Sequence, residues 1–132
     1  MQLIFEDGLL LTTIEIGYKG KRKVLNRVAI DSGASHSFID IDAVYELGIG
    51  YESGDQLIRH YGIGGSEFSF SKRIDYVKIG GKTFQQVSLD FGILKAFNIQ
   101  GLIGLDILKS GEFVLDMKHL KLLTNDEKAL AQ

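Results

Sequence analysis

Residues 31–34 read Asp-Ser-Gly-Ala, directly after the apolar stretch Val28-Ala29-Ile30. A carboxylate where a strand leaves the core has two uses. In an ordinary turn, Asp31 faces water and Gly33 only lets the chain reverse. In a catalytic loop, Gly33 doubles the backbone back and holds the carboxylate in a cleft, where it can take or give a proton. Two later stretches bear on the choice. Leu102-Ile103-Gly104 again sets a glycine behind two apolar residues. Tyr61-Gly62-Ile63-Gly64-Gly65 lies between extended runs, as a structural hairpin tip or a mobile flap would.

Other chemistries lack their residues. Ile79-Gly80-Gly81-Lys82-Thr83 ends like a phosphate-binding loop, but Tyr76 stands where the first glycine belongs. In Gly62-Ile63-Gly64-Gly65-Ser66-Glu67 the third glycine of a dinucleotide fingerprint is replaced by Glu67. His36, His60 and His119 are not at metal-ligand spacing, so no metal or other cofactor is expected. Ser35 and Ser37 flank His36, but no nucleophile-elbow pattern surrounds them. Without cysteine there is no disulfide, thiolate metal site or thiol catalysis.

Composition sets the frame. With 132 residues, 45% hydrophobic and 24% charged, the chain suits one soluble domain with a genuine core. The net charge of -2 offers no basic field to nucleic acid. Lys19-Gly20-Lys21-Arg22-Lys23 reads as a solvated hairpin turn. The apolar runs are too short to span a bilayer. Acids interrupt the first residues, so no secretory signal is expected, and a cytoplasmic location follows as an expectation. The chain has 16 glycines and no proline, so its tight turns depend on glycine.

The elements that must position Asp31 are mostly strands. Leu9–Tyr18 and Lys23–Ile30 flank Gly20 and predict a hairpin. Ile41, Val44 and Tyr45 have helical spacing. Asp40 or Ser37 is placed to cap that helix, Gly48 to end it, and Ile39 with Val44 to staple it. From Gln56 onward the chain alternates and turns, with hairpin tips at Gly62–Gly65 and Gly80–Gly81. Gly101–Gly111 predicts a short strand, a glycine and a short helix; Glu112–Leu123 predicts a closing hairpin. Residues 124–132 are a polar tail. The expectation is one domain over residues 1–132 with its core at about 9–123, mainly β, with one or two short helices.

This ordered set resembles the retropepsin-like aspartic proteases. Asp31-Ser32-Gly33-Ala34 matches their D-[ST]-G-[AS] signature, and His36-Ser37-Phe38-Ile39-Asp40 resembles its continuation in retrotransposon and bacterial members. Gly101-Leu102-Ile103-Gly104 resembles their second apolar-apolar-glycine element, and Tyr61–Gly65 stands where they keep a flap. The resemblance spans roughly residues 9–123 and implies an acid-protease β-barrel.

It also implies a mechanism. Aspartic proteases use two carboxylates that share one proton, because like charges about 3 Å apart cannot both ionise. The ionised member takes a proton from a water held between them. That water attacks the peptide carbonyl, and the protonated member polarises the carbonyl oxygen. The resemblance gives Ser32 a bond across a two-fold axis, has Gly33 and Ala34 shape the loop, and has Leu102-Ile103-Gly104 support it. Asp7, Asp106 and Asp116 lack the D-[ST]-G pattern, so the second carboxylate must be Asp31 of a second copy. A homodimeric endopeptidase acting on a peptide or protein follows. Tyr61 and Phe68 read as apolar packing before substrate contact. Ser35 stands where retroviral members often carry an acid, and Leu105 where they often carry an arginine. The rival reading is a catalytically silent dimer that binds or scaffolds peptides; a third is an unrelated β-barrel ligand binder.

Overall fold

The computed structural model describes residues 1–62, 65–94 and 98–125, and only the backbone of residues 60–62 and 65–67. Among them run β1 (Ile4–Glu6), β2 (Leu9–Tyr18), β3 (Lys21–Ile30), β4 (Phe38–Asp40), a 3-10 helix (Ile41–Leu47), β5 (Gln56–Gly62), β6 (Gly65–Ile79), β7 (Lys82–Gly92), β8 (Gly101–Ile103), α1 (Leu105–Ser110), β9 (Val114–Asp116) and β10 (Lys121–Leu123). The protein is mainly β, as the alternation predicts.

The first hairpin forms where expected. Leu11, Ile14, Ile16 and Tyr18 of β2 and Leu25, Val28 and Ile30 of β3 face the core. The strands pair from Leu11↔Ala29 to Tyr18↔Lys21, with one irregularity between Thr12 and Ile14. Lys19 and Gly20 both take positive φ, 49° and 81°, the geometry of the tight turn that matches strand twist. A second tip at Gly80–Gly81 joins β6 to β7.

The sheet order is β1-β2-β3-β8-β4-β7-β6-β5, and β2 also pairs with β6. That extra pairing, Ile14↔Ile79 to Gly17↔Tyr76, closes a circuit through β2, β3, β8, β4, β7 and β6. Closure leaves those strands no free edge toward each other. Ile14, Ile16, Val77 and Ile79 meet along the seam at 0–1% exposure. The Tyr76 hydroxyl donates to Glu15 Oε2 at 2.6 Å across it. That hydrogen bond, with burial, raises the tyrosine pKa. β9 and β10 make a separate small sheet, joined to the N-terminus by the Gln2↔Lys121 bridge. Leu3 and Leu122 there are both 2% exposed, so the core takes in residues before position 9.

The segment after β4 is helical but of the 3-10 kind. Ile41, Val44 and Leu47 recur every third residue. Three residues per turn put all three on the inner face and swing Tyr45, expected inside, to 79% exposure. Gly48 ends the helix at φ 77°, as predicted, and Ile39 and Val44 are fully buried. The predicted caps do not form. Asp40 makes no side-chain capping bond; its Oδ1 accepts the Leu94 N–H at 3.3 Å. Ser37 is engaged elsewhere. Among the described residues no helix is long and apolar enough to cross a membrane.

The seam yields a stability prediction. Ile16 is fully buried, so Ile16→Ala removes apolar contacts and leaves a cavity worth about 2–5 kcal/mol. A fall in the urea midpoint with an unchanged slope is expected. A loss under about 1 kcal/mol would show that this seam is not a tightly packed part of the core.

Candidate active site

Asp31 sits where three strands meet. β3 and β8 run parallel, Val28↔Gly101 to Ile30↔Ile103. β4 lies on the other side of β8, antiparallel to it, with Phe38↔Leu102 and Ile39↔Gly101. The chain therefore leaves β3 at Ile30, passes over the end of β8, and returns beside it as β4. Residues 31–37 are that passage, and Asp31 is its first residue.

The passage is held at each step. The Asp31 N–H donates to the Ile103 carbonyl at 2.9 Å, extending the ladder by one residue. The Ala34 N–H donates to the Asp31 carbonyl at 3.2 Å, and the Leu105 N–H to the Ala34 carbonyl at 2.8 Å. The Gly33 N–H donates to Asp31 Oδ1 at 3.0 Å, fixing the side chain against its own loop. A Cβ at residue 33 would lie 3.3 Å from that oxygen and press on the carboxylate. Gly104 is constrained more severely. A Cβ there would stand 2.6 Å from the Ala34 carbonyl oxygen and 2.9 Å from the His36 carbonyl. Backbone meets backbone at this point, so the position accepts only glycine.

A second carboxylate completes the clamp. Asp106, in the first turn of α1, receives the Ser37 N–H on Oδ1 and Oδ2 at 3.0 and 2.9 Å. The Ser37 hydroxyl donates to Oδ1 at 2.6 Å, and the Ile107 N–H donates to Oδ1 at 2.8 Å. Ser37 Oγ accepts the Gly104 N–H at 2.9 Å. Ser37 is fully buried, so these bonds replace those it would make with water. Nothing in the D-[ST]-G pattern points to Asp106. The available signal was an acid inside the otherwise apolar run Gly101–Leu108, together with a small hydroxyl residue six positions after Asp31.

Asp31 borders a cleft of about 660 Å³, otherwise lined, among the described residues, by apolar side chains and one glycine. Leu9, Ala29, Leu94, Ile99, Leu102 and Met117 are among them. Asp31 is partly exposed, and Ser32 and Gly33 are exposed. Ser32 also borders a shallower groove of about 340 Å³ with Leu105, Leu108, Phe113 and Leu115. Leu105 on its lining remains 45% exposed.

The structure thus brings Asp31, Ser32, Gly33 and Ala34 together with Leu102, Ile103 and Gly104. The described backbone flanking the glycine hairpin belongs to the β5–β6 pair. Backbone pairing runs from Gln56↔Ser71 through Tyr61↔Ser66 to Gly62↔Gly65. Ile63 and Gly64 lie outside the described residues, as does the Tyr61 side chain. Phe68 does not pack inside: it is 58% exposed, with the Arg59 guanidinium 5.4 Å from its ring centroid. No group of His, Asp and Glu able to hold a metal occurs among the described residues. His119 instead contacts Asp116 at 2.9 Å, and that hydrogen bond lowers the Asp116 pKa.

The chain belongs to the aspartyl protease family, whose sequence model matches residues 13–107. Its fold is retropepsin-like. It is similar to the crystal structure of a retropepsin-like aspartic protease from Rickettsia conorii, with a TM-score of 0.66 and 21% identity. That alignment covers 92% of this chain and 96% of the other. No curated protein matches the sequence.

Removing the Asp106 carboxylate tests the clamp. Asp106→Ala strands the buried Ser37 N–H and hydroxyl, at about 1–3 kcal/mol of stability. Asp106→Asn keeps one acceptor oxygen and should lose less. Urea denaturation of both variants checks the order. An Asp106→Ala protein as stable as wild type would show that the loop is held by other means.

Proposed function

We propose that the protein is a homodimeric aspartic endopeptidase. The observation that carries this reading is Asp31 itself: a carboxylate on a clamped loop, partly exposed, at the rim of a large apolar cleft. A turn residue has no need of such support. The family membership supports an acid–base role for the carboxylate, and that role requires a second one.

The second carboxylate is Asp31 of another copy. Two loops related by a two-fold axis bring the acids together. One acid, ionised, takes a proton from the water between them. The other, protonated, donates to the peptide carbonyl oxygen as the water attacks. On collapse of the tetrahedral intermediate the amine leaves with a proton, and the shared proton of the pair is restored. Ser32, exposed beside Asp31, is placed to bond across the axis. The groove beside Ser32, with exposed Leu105, offers apolar surface for the second copy. The cleft accepts apolar side chains next to the scissile bond, since Asp31 is the one charged residue on its lining among the described residues. The Tyr61–Gly65 hairpin acts as the flap, pairing with extended substrate as a strand does. An intact acid on a rigid loop favours turnover over silent peptide binding, which needs no such acid.

The experiment is cleavage of a mixed peptide library at pH 4–7, with and without pepstatin, by wild type and Asp31→Asn. Wild type should cut beside large apolar residues and be blocked by pepstatin. Asp31→Asn can neither share nor accept the proton, so cleavage should fall by at least about 10²–10⁴-fold with the fold intact. An active Asp31→Asn protein sinks the reading. A wild type that binds peptides without cutting them supports the silent module.

A further inference from the structure

The β5–β6 ribbon leaves the sheet at a defined point. β6 pairs with β7 from Ile79↔Lys82 up to Phe70↔Phe91, and no β6–β7 pairing continues beyond it. From Ile58↔Ser69 to Gly62↔Gly65 the two strands of the ribbon pair with each other. A two-stranded ribbon is weakly held by its own ladder. Its angle to the sheet therefore depends on what fixes its base.

At that base Lys72 is buried, with 7% of its side chain exposed. Its ammonium lies 2.8 Å from Asp55 Oδ2 and 3.0 Å from Glu52 Oε1. Both acids belong to the loop that feeds β5. That loop is a closed turn: the Glu52 N–H donates to Asp55 Oδ2 at 2.9 Å, and the Asp55 N–H returns to the Glu52 carbonyl at 3.0 Å. Tyr51 lays its ring edge on Phe70 at 6.0 Å, and Phe70 stacks on Phe91 at 5.7 Å. The feeding loop is thus attached to β6 where β6 parts from β7.

We infer that the Lys72–Glu52–Asp55 cluster is the hinge pin of the β5–β6 ribbon, and that Lys72 positions the ribbon relative to the Asp31 cleft. The function of that positioning rests on the proposed flap. The pin itself rests on the contacts alone. The other charged or titratable groups acting on the cluster are Tyr18, at the end of β2, and Lys19 beside it.

The charges set the window in which the pin holds. Hydrogen bonds from Lys72 hold the Glu52 and Asp55 carboxyls below their usual range. Burial works against the Lys72 ammonium, but the hydrogen bonds to Asp55 and Glu52 outweigh it and raise its pKa. Lowered carboxylates contribute above their unfolded pKa and lose that contribution as pH falls through the folded value. A raised lysine contributes below its unfolded pKa and loses that as pH rises through the folded one. The cluster is therefore intact from about pH 4 to about pH 10 and opens below that range. An acid protease working near pH 4–5 would keep its ribbon pinned.

Hydrogen exchange on the protein without substrate tests this. Lys72→Met should lower the protection of ribbon amides by about tenfold relative to β2, β3 and β7. Lys72→Arg, whose fork can hold both carboxylates, should restore much of it. Wild-type ribbon protection, corrected for intrinsic rates, should hold down to about pH 4 and drop below it, and Lys72→Met should show no such step. Glu52→Gln alters an exposed carboxylate and serves if Lys72→Met does not fold; a smaller loss confined to the ribbon is expected. Unchanged ribbon protection, or a loss spread evenly over the sheet, overturns the inference. Loosening confined to the ribbon, with the cleavage rate unchanged, upholds the pin and sinks the flap.

Discussion

Everything at the site depends on one constraint: the chain must cross over the end of β8 without leaving buried peptide groups unpaired. β3 and β4 flank β8, so the connection between them cannot be a simple surface loop. Where Ser37 meets Gly104, its polar groups face the packed end of the sheet, where an unpaired N–H costs as much as a lost hydrogen bond. The sequence meets this with Asp106, which takes bonds from Ser37 and Ile107, and with Ser37, which takes one from Gly104. Gly104 lets the two backbones touch. Asp31 is thereby presented at a fixed place instead of swinging free, and fixed placement is what general acid–base chemistry requires of a carboxylate.

The closed circuit of strands supplies the rigidity behind that loop. β2 pairs with β3 on one side and β6 on the other, which ties the Asp31-bearing strand to the strand carrying the glycine hairpin. The apolar cleft opens where Leu9 and Ala29 come together with Leu94, Ile99 and Leu102. The β5–β6 ribbon beyond Phe70 stands outside the circuit, paired there only strand to strand. The molecule thus joins a stiff base that holds the acid to one projecting arm.

Local patterns were legible in the sequence because they depend on neighbours. The hairpins at Gly20 and Gly80–Gly81, the short helix after Gly104, and Asp31 at a strand end all follow from residues within a few positions. The 3-10 helix was half legible: Ile41, Val44 and Leu47 fit a period of three, and the 3.6-residue reading drew in Tyr45 by mistake. Long-range polar contacts were not legible. Ser37 and Asp106 are 69 residues apart, and Ser37 read plausibly as a helix cap. The burial of Lys72 was not legible either: it stands in an alternating strand, and its partners Glu52 and Asp55 come from the loop before β5. Such pairings depend on which strands lie side by side, and no local period encodes that.

The chain belongs to the aspartyl protease family and has a retropepsin-like fold; the proposed function adds catalysis by Asp31 and, from the single D-[ST]-G site, a stoichiometry of two copies. The central claim is that each active centre takes one Asp31 from each of two copies. Co-refolding wild type with Asp31→Asn at varied mole fraction, at constant total protein, measures this directly. If both carboxylates are required, activity follows the square of the wild-type fraction, because mixed dimers are dead. Activity proportional to the wild-type fraction itself would show that one Asp31 suffices, and would contradict the account.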